Sequence, residues 1–194
     1  MKKFVLAAVL AAAAAGGAFG QAWYNSYAPG IEGSKIFVNG GIGFGVLPYK
    51  MSLPPISASA EYALDKIPLS VGAYFGITGY NEELSAHSSY KGSLTGFGAK
   101  ASYHFNFIKN LDPYVSLTLG WLVYKQEVKS SYTSYSSPSY TPKTTTVTAE
   151  NDLSTFFYGF NLGARYFFTK NIGAYVELGY SAVSVASAGL ALKF

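Results

Sequence analysis

From residue 36 to the last residue, segment after segment alternates apolar side chains with small or polar ones. A period of two places alternate residues on opposite faces of an extended strand. Where the charges fall on those faces decides what such strands can build. Ile36, Val38, Gly40, Ile42 and Phe44 share one face of a first strand, with Phe37, Asn39, Gly41, Gly43 and Gly45 on the other. The same division separates Ala58, Ala60 and Tyr62 from Ser57, Ser59 and Glu61, and Val71, Ala73 and Phe75 from Ser70, Gly72 and Tyr74. It continues with Phe97, Ala99, Ala101 and Tyr103 opposite Gly96, Gly98, Lys100, Ser102 and His104. Leu117, Leu119 and Trp121 oppose Ser116, Thr118 and Gly120, and Tyr158, Phe160 and Leu162 oppose Gly159, Asn161 and Arg165. Val176 and Leu178 oppose Glu177 and Gly179, and Leu190, Leu192 and Phe194 oppose Gly189, Ala191 and Lys193.

Eight strands result. Their ionisable residues are Glu61, Lys100, His104, Arg165, Glu177 and Lys193, and all six lie on the small-polar face. A soluble sandwich would turn charges to water and pack its apolar face inward. Here the apolar face is kept free of charge, as lipid contact requires: a charge there near the bilayer midplane costs about 2–4 kcal/mol. Charged residues make up only 12% of the chain, against a usual share of about 25%, while aromatics reach 17%. No stretch past the N-terminal segment is long and apolar enough for a spanning helix, and open sheet edges would strand backbone polar groups in hydrocarbon. The expected fold is therefore an all-β, eight-stranded antiparallel up-and-down transmembrane β-barrel. A soluble lipocalin-like barrel is the fold alternative, but its pocket would need the large apolar residues inside.

The connections alternate in length. Asp65–Pro68, Lys109–Asp112 and Thr169–Asn171 are expected to be short turns. Leu47–Pro55, with its prolines, and the polar Asn81–Gly92 are expected to be loops. Short turns on the periplasmic side and longer outside loops fit an outer-membrane barrel, with both termini periplasmic. Strand ends carrying Tyr103, Phe105, Phe107, Tyr166, Phe168 and Phe194 would form an aromatic girdle there. Residues 125–152, rich in Ser, Thr and Tyr, hold too few apolar side chains for lipid-facing strands, so a protruding hairpin is expected. The stretch Phe105–Trp121 weakly repeats in Tyr166–Tyr180, as hairpin duplication would leave it.

Ahead of the barrel, assigned to 34–194, Lys2 and Lys3, an apolar run from Phe4 to Ala15, and Ala18 and Gly20 read as a signal peptide over 1–20. A cut after Gly20 or after Ala22 leaves a short periplasmic segment over 21–33. Removing Lys2 and Lys3 lowers the formal charge from +4 by two, so the basic balance belongs partly to the leader and implies no nucleic-acid partner. Cysteine is absent from the sequence, so disulfides play no part.

The final residues carry a family pattern: a polar residue, Gly, a hydrophobic residue and a terminal aromatic, here Ser187, Gly189, Leu192 and Phe194. Together with the strand pattern, this resembles small eight-stranded bacterial outer-membrane barrels of the OmpA transmembrane-domain and OmpX type. The resemblance implies outer-membrane lipid as surroundings, and barrel-assembly machinery as a partner that reads the C-terminal strand. A monomer is expected, with a surface ligand for the loops.

Six inward charges in a narrow barrel must find partners, because an unpaired buried charge is very costly. The expected arrangement of Glu61, Lys100, His104, Arg165, Glu177 and Lys193 is a paired lumen network; the alternative is a narrow porin-like channel. His87 and Ser89 have a His-x-Ser spacing that some lipid A deacylases use, making a lipid A-modifying enzyme a second alternative. The motif falls in an expected loop and its surroundings do not match that family, so no catalytic residue is assigned. No His, Cys or carboxylate cluster suggests a metal site. The glycine-rich Asn39–Gly45 lacks the following helix and Lys-Ser/Thr of a phosphate loop. No cofactor is expected. The reading is a non-enzymatic outer-membrane barrel with a structural or adhesive surface role.

Overall fold

The computed structural model describes residues 34–45, 51–64, 67–85, 88–105, 110–136 and 141–194. The segments expected to be leader and N-terminal spacer, 1–20 and 21–33, lie outside the described residues, as do His87 and Phe107. Eight strands follow in chain order: β1 (Ile36–Gly45), β2 (Met51–Ala63), β3 (Leu69–Ser85), β4 (Ser88–His104), β5 (Leu111–Ser136), β6 (Thr141–Phe167), β7 (Ile172–Ser181) and β8 (Ser184–Lys193). Each pairs antiparallel with its neighbours, and β1 pairs with β8 from Phe37↔Lys193 to Gly45↔Ser184. The sheet is a closed up-and-down barrel in sequence order. Closure leaves no open sheet edge along the shared height of the strands.

The alternation sets which face looks in. Ile42, Phe44, Phe75, Phe97, Leu117, Leu119, Trp121, Phe160, Leu162, Val176, Leu178 and Leu190 are all exposed on the outside. Their neighbours Asn39, Ser59, Glu61, Ser70, Lys100, Ser102, Thr118, Asn161, Arg165 and Glu177 are buried within. The barrel is thus inverted relative to a soluble protein: water-seeking groups inside, oil-seeking groups outside. Glycines thin the inner wall where large side chains cross it. A methyl carbon at Gly163 would lie 2.3 Å from the ring of Tyr114, its partner on β5.

Aromatic pairs mark both rims of the apolar surface. Tyr103–Phe105 and Tyr166–Phe168 pack edge to face at 5.1 and 5.8 Å near the end where β1 begins and β8 ends. Trp121–Phe156 does so at 5.8 Å toward the other end. Past Trp121, among the described residues, the sheet continues on one side only. β5 and β6 remain paired up to Ser136↔Thr141, and β3 and β4 up to Ser85↔Ser88. The β6–β7 ladder ends at Phe160↔Tyr180.

Several expected boundaries are corrected. Leu47–Pro55 is not a loop throughout: β2 begins at Met51 and carries Pro54 and Pro55 where its register with β3 shifts, between Leu53 and Ile56. A bulge is where a strand tolerates residues that cannot donate to the ladder. Asn81–Gly92 is not a loop either, because β3 runs to Ser85 and β4 starts at Ser88. This also places Ser88 and Ser89 in a strand. Leu111 and Asp112 belong to β5 rather than to the preceding turn. The last strand starts at Ser184, and the β7–β8 connection is a two-residue apolar turn, Ala182–Val183.

Candidate functional site

The inward polar side chains gather into one hydrogen-bonded layer across the lumen. Arg165 on β6 is its hub and has no exposed surface. Its Nη2 donates to Glu61 Oε1 at 2.6 Å, its Nη1 to Asp112 Oδ2 at 3.0 Å, and its Nε to Asn39 Oδ1 at 3.0 Å. Its Cζ lies 4.2 Å from the Tyr114 ring centroid and 5.0 Å from that of Phe37, over both rings. Three acceptors at fork geometry and two ring faces are what guanidinium satisfies and ammonium does not.

A second centre is Lys100 on β4. Its Nζ donates to Glu177 Oε1 at 2.5 Å and lies 3.8 Å from Glu61 Oε1. Tyr114 donates its hydroxyl to the same Glu177 oxygen at 2.7 Å. Glu61 therefore faces both cations, and its other oxygen accepts from Ser70 at 2.8 Å and from Ser102. His104 bonds Asp112 Oδ1 through Nδ1 at 2.7 Å and meets Ser70 Oγ through Nε2 at 2.9 Å. Phe37 stacks on its ring at a centroid distance of 5.5 Å.

Five of the six residues singled out from the sequence, Glu61, Lys100, His104, Arg165 and Glu177, meet in this layer. Lys193 is buried nearer the end where β1 begins and β8 ends, with its Nζ 4.3 Å from the Phe167 ring centroid. Parity reasoning missed Asp112, which joins Arg165 to His104. The signal is in the sequence: Asp112 precedes the inward Tyr114 by two and so shares its face, although Lys109–Asp112 is expected as a turn. Ser187 and Gly189 of the C-terminal pattern line the interior of β8, where a methyl carbon at Gly189 would lie 2.2 Å from the Gly40 carbonyl oxygen. Phe194 is exposed, and its main chain bonds that of Lys35 and Ile36.

Ser70, His104 and Asp112 stand in the order of a hydrolase triad, but the arrangement cannot run that chemistry. Ser70 has one hydroxyl proton, and it goes to Glu61. All three residues are sealed in the wall, with at most 2% of any exposed. A nucleophile needs a free hydroxyl and room for a carbonyl beside it. What the layer does is hold charge: each carboxylate has a cationic or hydroxyl partner, and the side chains fill the bore.

Fold and site together define a class: a closed eight-stranded up-and-down barrel with an apolar outside and an ion-paired, filled interior. No protein-family model matches the chain, and no curated protein sequence does. Among solved structures, the N-terminal β-barrel domain of OprF from Pseudomonas aeruginosa is similar. It gives a TM-score of 0.46 at 18% identity, covering 83% of this chain and 97% of that one. Ail, the attachment invasion locus protein of Yersinia pestis, gives 0.43 at 14% identity, covering 82% and 93%. Ail in complex with the heparin analogue sucrose octasulfate gives 0.43 at 15% identity, covering 82% and 94%.

Proposed function

We propose that this chain is an integral outer-membrane barrel with a structural and surface-contact role, and that it works without catalysis. The observation that carries this reading is the inversion of the barrel. Large apolar side chains such as Phe44, Tyr158, Leu178 and Leu190 are at least 62% exposed, while Glu61, Asp112 and Arg165 are at most 1% exposed. Exposed apolar area on that scale, running around a closed sheet, is stable only against lipid. The aromatic pairs at its two rims fit the interfacial zones, where amphipathic rings sit at headgroup level.

Contact with other surfaces falls to the sheet that rises past Trp121. Strands β5 and β6 are 26 and 27 residues long, against 10 for β7 and β8. A membrane crossing needs only about 9–11, so the surplus has no role in spanning. Its composition, rich in Ser, Thr and Tyr, suits adaptable polar contact. Replacing residues 129–148 by a tight turn is expected to leave barrel folding intact, seen as heat-modifiable gel migration, and to abolish adhesion of expressing cells to the surfaces that full-length protein binds. Undiminished adhesion by the trimmed protein would remove the surface-contact part of the reading.

A further inference from the structure

We propose that the β7–β8 turn is an internal plug: it folds across the lumen and shuts the loop end of the barrel above the ion-paired layer.

Two-residue hairpin turns in water are dominated by Gly, Asn and Asp, which accept positive φ. Here the turn is Ala182–Val183, and Ala182 holds a φ of 55°. The Val183 amide bonds back to the Ser181 carbonyl, which tightens the chain around Ala182. Neither residue touches solvent: Ala182 is 1% exposed and Val183 is 0%. An apolar pair in an uncommon backbone conformation at a hairpin tip makes sense only if the tip is seated in something.

The seat is the opposite wall. Strands β3 and β4 lie four positions around the barrel from β7 and β8. A methyl carbon at Gly76 on β3 would lie 2.7 Å from Val183 Cγ2, and one at Gly96 on β4 would lie 2.5 Å from Ala182 Cβ. On β1, one at Gly43 would lie 2.7 Å from Ser184 Cβ. These glycines form a socket that fits the turn. Tyr74, Leu94 and Phe157 pack around it, and the Tyr74 hydroxyl donates to the Ser181 carbonyl at 2.7 Å.

The hairpin is bent to reach that seat. The β7–β8 register shifts between Leu178 and Ser181, and Gly179 there has a φ of 142°. The β1–β8 register shifts between Phe44 and Gly45. Bulges of this kind bend a strand, and here both flank the turn.

Beneath the plug, Ser116 Oγ and Thr118 Oγ1 are buried without a hydrogen-bond partner in the protein. The Phe37–Phe167–Tyr175–Ala191 cluster and the Arg165 layer close the other end. Thr118 is thus a reporter reached only past the turn, and the chain has no cysteine to compete with one placed there. Thr118→Cys should resist a small water-soluble methanethiosulfonate in the otherwise unaltered protein. It should react on the order of tenfold faster or more when Ala182→Asn and Val183→Gly give the turn a solvent-seeking sequence. Gly96→Val, which fills the socket instead of altering the plug, should expose the same thiol. Heat-modifiable migration identifies the folded fraction in each case. A thiol that reacts freely with the turn unaltered would overturn the proposal. So would one that stays equally protected in a folded protein carrying either change.

Discussion

At the residue scale, the layer around Arg165 sets the cost of its own disruption. A buried ion pair is weak evidence for net stability, because desolvation offsets much of the attraction. Removing one partner is different, since the survivors are left charged and dry. Arg165→Ala strips Glu61 of its closest cation, Asp112 of its cationic partner and Asn39 of a donor. Loss of about 3–5 kcal/mol is expected, measured as equilibrium unfolding by denaturant in lipid vesicles. Arg165→Lys should recover only part of it, because one ammonium cannot span three acceptors in a fork. Lys125→Ala is the control. The Lys125–Asp152 pair is separated by 3.6 Å, with both side chains about two-thirds exposed, and such pairs contribute about 1 kcal/mol or less. Equal losses for Arg165→Ala and Lys125→Ala would refute the network as the structural centre of the lumen.

At the element scale, the proposed membrane seat gives each strand two surfaces in two solvents, and the period-two pattern is legible where those solvents differ. The inward or outward sense of Glu61, Lys100, Arg165 and Glu177 follows from parity alone, because each has apolar neighbours on both sides in sequence. The reading fails where the contrast fades. Beyond Tyr80 in β3 and before Lys91 in β4, the polar run offers no apolar face to count, so paired strands look like a loop. Pro54 and Pro55 break the pattern of β2 because they occupy a register shift. Ala182 and Val183 read as ordinary apolar residues, since nothing local says that a turn bends inward. Which carboxylate meets which cation depends on strands far apart in the chain, such as Arg165 and Glu61, and no local pattern carries it. The two-solvent division also has a direct consequence. Leu119→Arg, on the outward face between the rims, should cost about 2–4 kcal/mol in vesicles. Val147→Arg, on the sheet beyond Trp121 and 51% exposed, should stay within about 0.5 kcal/mol. Similar costs at both sites would mean that the apolar face between the aromatic rims is not in lipid.

At the scale of the whole molecule, closure, inversion and filling depend on each other. Closure pairs the β1 and β8 ladders, which lets the wall sit in a medium that cannot hydrogen-bond. Inversion then sends Glu61, Lys100, Asp112, Arg165 and Glu177 inward, and eight strands leave a bore only wide enough for side chains to fill. The charges must therefore pair with one another, as Arg165 with Glu61 and Lys100 with Glu177 do. If lipid surrounds the wall, Trp121 reports it. Its side chain lies on the outside, 55% exposed, packed edge to face on Phe156. With Trp23→Phe, Trp121 is the only tryptophan in the chain. In reconstituted vesicles, lipids brominated along their acyl chains should quench its fluorescence, most strongly when the bromine sits near the headgroups, and aqueous iodide should have little effect. Strong quenching by iodide with none by brominated lipid would mean that water, not lipid, surrounds the wall.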